Sequence, residues 1–392
     1  MADVEDKHED KHEAEGPDSD RSEAPPSRPA ARPWRTNAVL FAVTVASVLV
    51  TQAQGRFGEL AGWIDAAKFA GALLGILVTH EAAHYVAARW HKVDASLPYF
   101  IPLPLLSPFG TMGAIIRMRG TIPTRRALMD IGASGPLAGL LVAIPLYAWG
   151  AAHSKVIEIG SSEGVELGEP IMVKLIDHFV NPSPPGHELE LSAVAFGAWA
   201  GMFVTMINLL PVGQLDGGHV AYALFGPRQN TIARWVHRSL LAFFFVSLAS
   251  YVTRDLRAGL GLARIGTHVG NSLFWLVWFE ILAVLGALSS RQKDGPPRAD
   301  LDVRTRLVTV LGLVGLAELG RSYGGVLVWV AWFIGLGVLL VMEARGGALR
   351  ADASSLDHPP TGDGPPGAAR VAVGVLALVM FALLFMVSPV SM

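Results

Sequence analysis

The chain has 392 residues, 52% of them hydrophobic and 16% charged, where an ordinary soluble domain carries about 25% charge. Its 31 Lys and Arg nearly cancel 33 Asp and Glu, so the basic surface that a nucleic-acid partner requires is not expected. With no cysteine, disulfide scaffolds, thiolate zinc sites and cysteine nucleophiles are excluded, and the long charge-free runs point to a polytopic membrane protein rather than to several soluble domains.

Residues 1–35 are rich in Asp, Glu, Lys, Ser and Pro and hold almost no large apolar residue. They read as a disordered, cytoplasmic, solvated tail, too acidic for a transit peptide. His8 and His12 fall in it. Apolar segments near the ~20 residues that a bilayer requires follow at 36–55, 67–88, 128–150, 191–212, 239–253, 269–289, 324–342 and 369–389. The stretch 307–320 is apolar but short and contains Glu318. The expected fold is therefore an all-α polytopic membrane protein, a bundle of about eight transmembrane helices. A catalytic core over 36–226 and C-terminal helices over 227–392 are the expected divisions.

The segment 97–126 breaks this pattern. It contains Pro98, Pro102, Pro104, Pro108 and Pro123, with Gly110, Gly113 and Gly120 between them, and Thr111 to Met118 is β-like. A re-entrant, β-hairpin-like element is expected there. Non-helical backbone at membrane depth survives only beside protein or a water-filled cavity, so a cavity is implied.

Lys and Arg in short flanks set the orientation. Arg28, Arg32 and Arg35, then Arg89 and Lys92, then Arg117, Arg119, Arg125 and Arg126, then Arg228, Arg234 and Arg238 all fall on one side if each helix crosses once. That side reads as cytoplasmic. The loop 151–190 lies opposite and holds two Lys, seven Asp or Glu and no Arg. Arg254, Arg257 and Arg264 fall on the outer side in this scheme and count against it.

The second span reads Thr79-His80-Glu81-Ala82-Ala83-His84. Histidines four residues apart project from one helix face, where two imidazoles can share a zinc ion and the adjacent glutamate can reach a water activated there. Two core histidines and a buried glutamate are the structural alternative. It is expensive, because each ionisable group at membrane depth costs at least ~2.5–3.5 kcal/mol. A third ligand is required. The best candidate is Asp216, the first charge after the uncharged run Leu191 to Leu215, reached through the helix breakers Pro211 and Gly213. Asp216 reads equally well as an interfacial carboxylate capping the next helix, with Gly217 and Gly218 in a turn. Gly197, Gly201 and Asn208 share one face of the fourth span. The pairs Gly71/Gly75, Gly135/Gly139 and Gly197/Gly201 are spaced for close helix approach.

These motifs together resemble the site-2 protease family of intramembrane zinc metalloproteases. The resemblance covers about 67–226 and rests on His80-Glu81-Ala82-Ala83-His84, on Gly132-Ala133-Ser134-Gly135-Pro136, and on Asn208 and Pro211 ahead of Leu215-Asp216-Gly217. The proline-rich run before Phe109-Gly110 is similar to the branch with chloroplast members. The resemblance implies one zinc per chain on His80, His84 and Asp216, Glu81 as general base, and Asn208 binding substrate or the oxyanion. It implies membrane-spanning protein substrates. The loop 151–190 is too short for a PDZ module. Oligomeric state is not legible.

Two rival readings use the same residues. A metal or proton transporter would use His80, Glu81, His84 and Asp216 as relay groups. A rhomboid-like serine protease would use Ser134 in Gly132-Ala133-Ser134-Gly135, with a histidine from a later span.

Overall fold

The structure is a computed structural model that describes residues 34–104, 107–119, 122–158, 166–262, 264–290, 303–323, 325–346, 364–387 and 390–391. The expected tail lies outside the described residues apart from Trp34 and Arg35.

The first span is α1 (Arg35–Gln52), and α2 (Leu60–Trp90) carries the histidine motif. At 31 residues, α2 is about 46 Å long and exceeds a ~30 Å hydrocarbon core. Helix α3 (Arg125–Ala152) starts where the Thr124 side chain accepts from the Ala127 amide. It continues through Pro136 and Pro145, which membrane helices tolerate when neighbours re-satisfy the freed backbone. Helix α5 (Ala193–Asn208) is capped by Ser192 in the same way.

Helices α2, α3 and α5 form the central unit. Phe69, Leu73 and Ile76 of α2 interlock with Leu140, Ala143 and Tyr147 of α3 and with Trp199, Met202 and Met206 of α5. Small residues set the spacing. A methyl group on Gly197 would strike the Phe69 carbonyl and Ala72, and one on Gly201 would strike Ile76. Gly71 and Gly75 meet nothing within 4 Å and lie on the exposed side of α2. The expected tight packing through that pair is therefore not found, because α2 turns its other face inward.

The expected hairpin element is present. Strand β2 (Tyr99–Pro102) pairs antiparallel with β3 (Thr111–Ile115), and β1 (Asp94–Ala95) pairs with β4 (Met118–Arg119). Helix α1 holds it along its length. Asn37 donates to the Leu97 and Pro98 carbonyls, Ser47 to Gly110 and Gln52 to Pro108. Gly110, at φ +74°, lies directly against the backbone of Ser47 and Val48.

Beyond α3, β5 (Lys155–Glu158) pairs with β7 (His187–Glu190). The loop also carries β6 (Glu166–Leu167), paired with β8 (Val390–Ser391), and the short helix α4 (Ile171–Val180). Tyr147 of α3 donates to Asp177 of α4 at 3.1 Å.

Helix α6 (Asp216–Phe225) is joined through a 3-10 turn at Gly226–Arg228 to α7 (Gln229–Arg257). Then come α8 (Ile265–Ser290), α9 (Val303–Tyr323), α10 (Val326–Gly346) and α11 (Ala368–Leu384). Leu240 and Phe244 of α7, Trp275 and Phe279 of α8 and Trp332 of α10 form a second core. Helix α11 returns to α3, with Gly374 against Met129.

The chain is a multi-pass helical membrane protein. Among the described residues six helical stretches are long and apolar enough to cross a membrane: α1, α2, α3, the 216–257 stretch, α8 and α10. This differs from the expected eight because α5 and α11, although apolar, are only 16 and 17 residues long. The doubtful 307–320 stretch is one continuous helix, α9. Glu318 does not interrupt it, because both of its oxygens accept from Arg321, at 2.6 and 2.9 Å.

Candidate metal centre

His80 and His84 lie one turn apart on the inward face of α2, with rings edge to face and centroids 4.8 Å apart. Helix α3 forms the floor. A methyl group on Gly135 would overlap the His84 ring, and one on Gly139 would press on His80. Those two glycines make room for imidazoles between two helices.

Asp216 arrives from the other side. After Asn208 the chain leaves the helix and folds back over Leu209–Val212, with Leu209, Leu210 and Val212 buried. Gly213, at φ +55°, helps make the bend. Helix α6 starts at Asp216, so Gly217 and Gly218 belong to its first turn and not to a loop. A side chain on Gly217 would collide with the Leu209 carbonyl, and one on Gly218 with the Gly213 carbonyl. The Asp-Gly-Gly sequence thus lets the preceding loop lie flat on the helix start.

The three groups converge. His80 Nε2 is 3.1 Å from Asp216 Oδ2, His84 Nε2 is 3.2 Å from Asp216 Oδ1, and the two Nε2 atoms are 3.1 Å apart. A tetrahedral ion with bonds of about 2.0 Å holds its ligands about 3.3 Å apart, so the triangle has the right size. The hydrogen bonding adds a second argument. His84 Nδ1–H donates to the Ile131 carbonyl at 2.7 Å, which leaves a lone pair on Nε2 of the neutral ring. That lone pair faces both a carboxylate oxygen and a second imidazole nitrogen. One proton on His80 serves one neighbour at a time, whereas a divalent cation serves all three. Among the described residues this is the one group of His and carboxylate ligands able to hold a metal.

Glu81 is 4% exposed. It follows His80 by about 100° of helix rotation. Asn208 is the last residue of α5 and half-buried; it is not one of the three converging groups. Ser134 is on a different face of α3. Its hydroxyl donates to the Ile131 carbonyl of its own helix at 2.9 Å.

Two contributors escaped the sequence reading. Arg125, taken there only as a topogenic charge, is buried and donates to the Ala223 and Leu224 carbonyls at the end of α6, at 2.7 to 3.1 Å. It ties the Asp216 helix to the helix that floors the histidines. A lone arginine inside a basic cluster carries no signal of that role. The Ile131 carbonyl is a backbone group, so no residue type marks it.

Two buried histidines on the inward face of α2 and the partly buried Asp216 at the start of α6 form a His2Asp group, inside a helical bundle, that could hold a metal ion. Residues 68–249 match the model of peptidase family M50, the family of the site-2 proteases. The chain is similar to a protein of Arabidopsis thaliana named "Probable zinc metalloprotease EGY1, chloroplastic", 32% identical over 42% of this chain and 31% of that protein. Its similarity to the Oryza sativa subsp. indica protein named "Probable zinc metalloprotease EGY2, chloroplastic" is 28% identity over 47% of this chain and 36% of that one. The chain thus spans about a third of the length of these curated relatives, at 31% and 36%. No solved structure matches it.

Proposed function

We propose that this chain is a zinc metalloendopeptidase that hydrolyses peptide bonds in or near the transmembrane segments of other membrane proteins. The observation that carries the reading is the convergence of His80, His84 and Asp216 at 3.1 to 3.2 Å inside the helical core. One Zn2+ per chain would be held by these three groups, a donor set of the kind that catalytic zinc takes. Zinc bound there supplies polarisation of the scissile carbonyl and acidification of water.

Glu81 would take a proton from the attacking water and deliver it to the leaving amine, the general-base and general-acid roles of one carboxylate. The neutral Asn208 amide donates to substrate or to the oxyanion without adding charge in the bilayer. A helical substrate hides its peptide bonds, so part of it must be extended. The β2–β3 hairpin is the edge offered for β-addition. Ser47 and Gly110 hold it to α1, and Val204 of α5 lies beside Gly113.

In this reading residues 36–226 form the catalytic core, 1–35 a disordered cytoplasmic tail and 227–392 an appended set of helices. Counting the short α5 and α11 as crossings gives eight spans. The basic flanks place the opening of the site on the cytoplasmic side of what we take to be a bacterial cytoplasmic membrane. The relatives named above are named as chloroplastic.

The test is purified protein with a membrane-embedded substrate. Wild type is expected to hold about one zinc and to lose cleavage on chelation. Glu81→Gln is expected to keep the metal and to lose at least ~100-fold in rate. Normal cleavage by Glu81→Gln together with a dead Ser134→Ala would make the enzyme a serine protease. Metal flux without cleavage, unaffected by Glu81→Gln, would make it a transporter.

A further inference from the structure

A groove of about 710 Å³ opens on the outer side of α2 and α3, away from the metal ligands. Its walls are small and apolar, with Ala82, Ala83 and Val86 on α2 and Ala138 on α3. Its polar end is built from three helices. His91 Nε2 lies 2.8 Å from Asp130 on one side, and Arg370 of α11 donates through Nε to both Asp130 oxygens, at 2.8 and 2.9 Å, on the other. Trp90, 82% exposed, stands beside that end.

We propose that this groove binds one anionic phospholipid, its phosphate at Arg370 and His91 and an acyl chain along Ala82, Ala83 and Ala138. Thr79 and Ser134 also line the groove, but their hydroxyls donate to carbonyls of their own helices, so the body is mainly apolar and the charged groups gather at one end, the form of an amphiphile. Its depth fits one leaflet. Thr79 and Trp90 are the ends of the α2 wall, eleven residues or about 16 Å apart, close to half of a ~30 Å core. A membrane-spanning helix requires the full thickness, and the three-way clamp at Asp130 closes one end against it. The charge is also complementary. Asp130 balances Arg370 and fixes its direction through Nε, and 39% of that side chain stays exposed to an incoming group. Arg89 and Lys92 flank the same end in the sequence, and with Arg370 they outnumber Asp130 and Asp94, so the formal balance there is cationic. Exposed tryptophan at the headgroup level is the usual interfacial anchor. The clamp is a built feature, because Asp130 alone joins residues 39 and 240 positions away in the sequence.

The test is native mass spectrometry of the full chain in detergent, with dioleoylphosphatidylglycerol and dioleoylphosphatidylcholine titrated separately. The expected result is one phosphatidylglycerol retained per chain, with phosphatidylcholine several-fold weaker. Arg370→Gln should lower phosphatidylglycerol retention about fivefold, the size of one basic charge near a headgroup, and leave phosphatidylcholine unchanged. Ala83→Leu, which fills the groove, should weaken both. Lys155→Gln, on the opposite end of the molecule, should weaken neither. Metal content, measured for every variant, reports folding, and Ala138→Leu replaces Ala83→Leu if that variant misfolds. Equal phosphatidylglycerol retention in wild type and Arg370→Gln would overturn the proposal. So would displacement by millimolar inorganic phosphate, which would mark a free-anion site, or capture of a membrane-spanning peptide by a photo-crosslinker at Val86, which would mark a substrate groove.

Discussion

His84 is held at both ends, by the Ile131 carbonyl at Nδ1 and by Asp216 and His80 at Nε2. A carbonyl partner on the distal nitrogen fixes tautomer and ring plane, and loss of such supports typically costs 10–100-fold in metal affinity. Gly135 permits the arrangement, since even one methyl group there would occupy the imidazole's space. Gly135→Ala should therefore lower zinc affinity by at least ~10-fold, while Gly75→Ala, in open space on the same α2, should leave it unchanged. Equilibrium dialysis of both variants checks this. Asp177 offers a pH-dependent case outside the spans. Its carboxyl is pushed from 3.8 up to about 6, chiefly by burial, against the hydrogen bond from Tyr147 and with the charge of Glu169 adding to the rise. The protonated form is thus favoured by folding. Stability from Asp177 is fully present below about pH 4 and is lost as pH rises through about 6. Protection of the α4 amides, taken relative to the intrinsic exchange rate at each pH, should fall between pH 4.5 and 7, and Asp177→Asn should remove the change. Identical protection at both values would refute it.

At the scale of elements, the site depends on how α6 is aimed. Asp216 starts that helix, the Leu209–Gly213 backbone lies on Gly217 and Gly218, and Arg125 closes its other end. Hydrogen bonds from a charged group contribute about 1.5–3 kcal/mol each, and Arg125 also satisfies carbonyls that a helix end leaves open. Arg125→Met should free α6, lower the thermal midpoint and weaken zinc binding about tenfold, although it touches no ligand. Zinc affinity equal to wild type would show that the loop alone aims Asp216. The hairpin follows the same logic. Its strands are too short to stand alone, and α1 supplies Asn37, Ser47 and Gln52 to its carbonyls.

At the scale of the molecule, the C-terminal helices are joined by a buried ion triad. Arg306 of α9 donates to Glu280 of α8 at 2.8 Å, and its other guanidinium nitrogen forms an ion pair with Glu343 of α10 at 2.5 Å, all three at most 4% exposed. Removing one member of such a group leaves uncompensated charge and costs about 3–5 kcal/mol, whereas replacing all of it is often neutral. Arg306→Met should accordingly destabilise the protein strongly to denaturing detergent, and the triple change Glu280→Gln, Arg306→Met, Glu343→Gln should recover most of that loss. A triple variant as weak as the single one would mean that the triad contributes beyond its own charge balance. Asp130 works across a similar distance, linking the end of α2, α3 and α11, so the last helix is fastened to the unit that carries the histidines.

The sequence alone determined the membrane class and the helical character of the long apolar segments, and it singled out His80, Glu81, His84 and Asp216 as candidates, three of which the structure brings together. The reason is that ionisable residues are costly in hydrocarbon and stand out against an uncharged background. The proline- and glycine-rich hairpin was legible for a related reason, since those residues deny the chain a helix. Tertiary structure alone decided which face of α2 is inward, and so that Gly71 and Gly75 pack on nothing while Gly135 receives an imidazole. It also decided that Asp216 opens a helix within reach of the histidines, that Arg125 is a cap, and that Asp130 and Arg306 clamp separated helices. Those outcomes depend on distances between residues far apart in the chain, which local composition and periodicity do not encode.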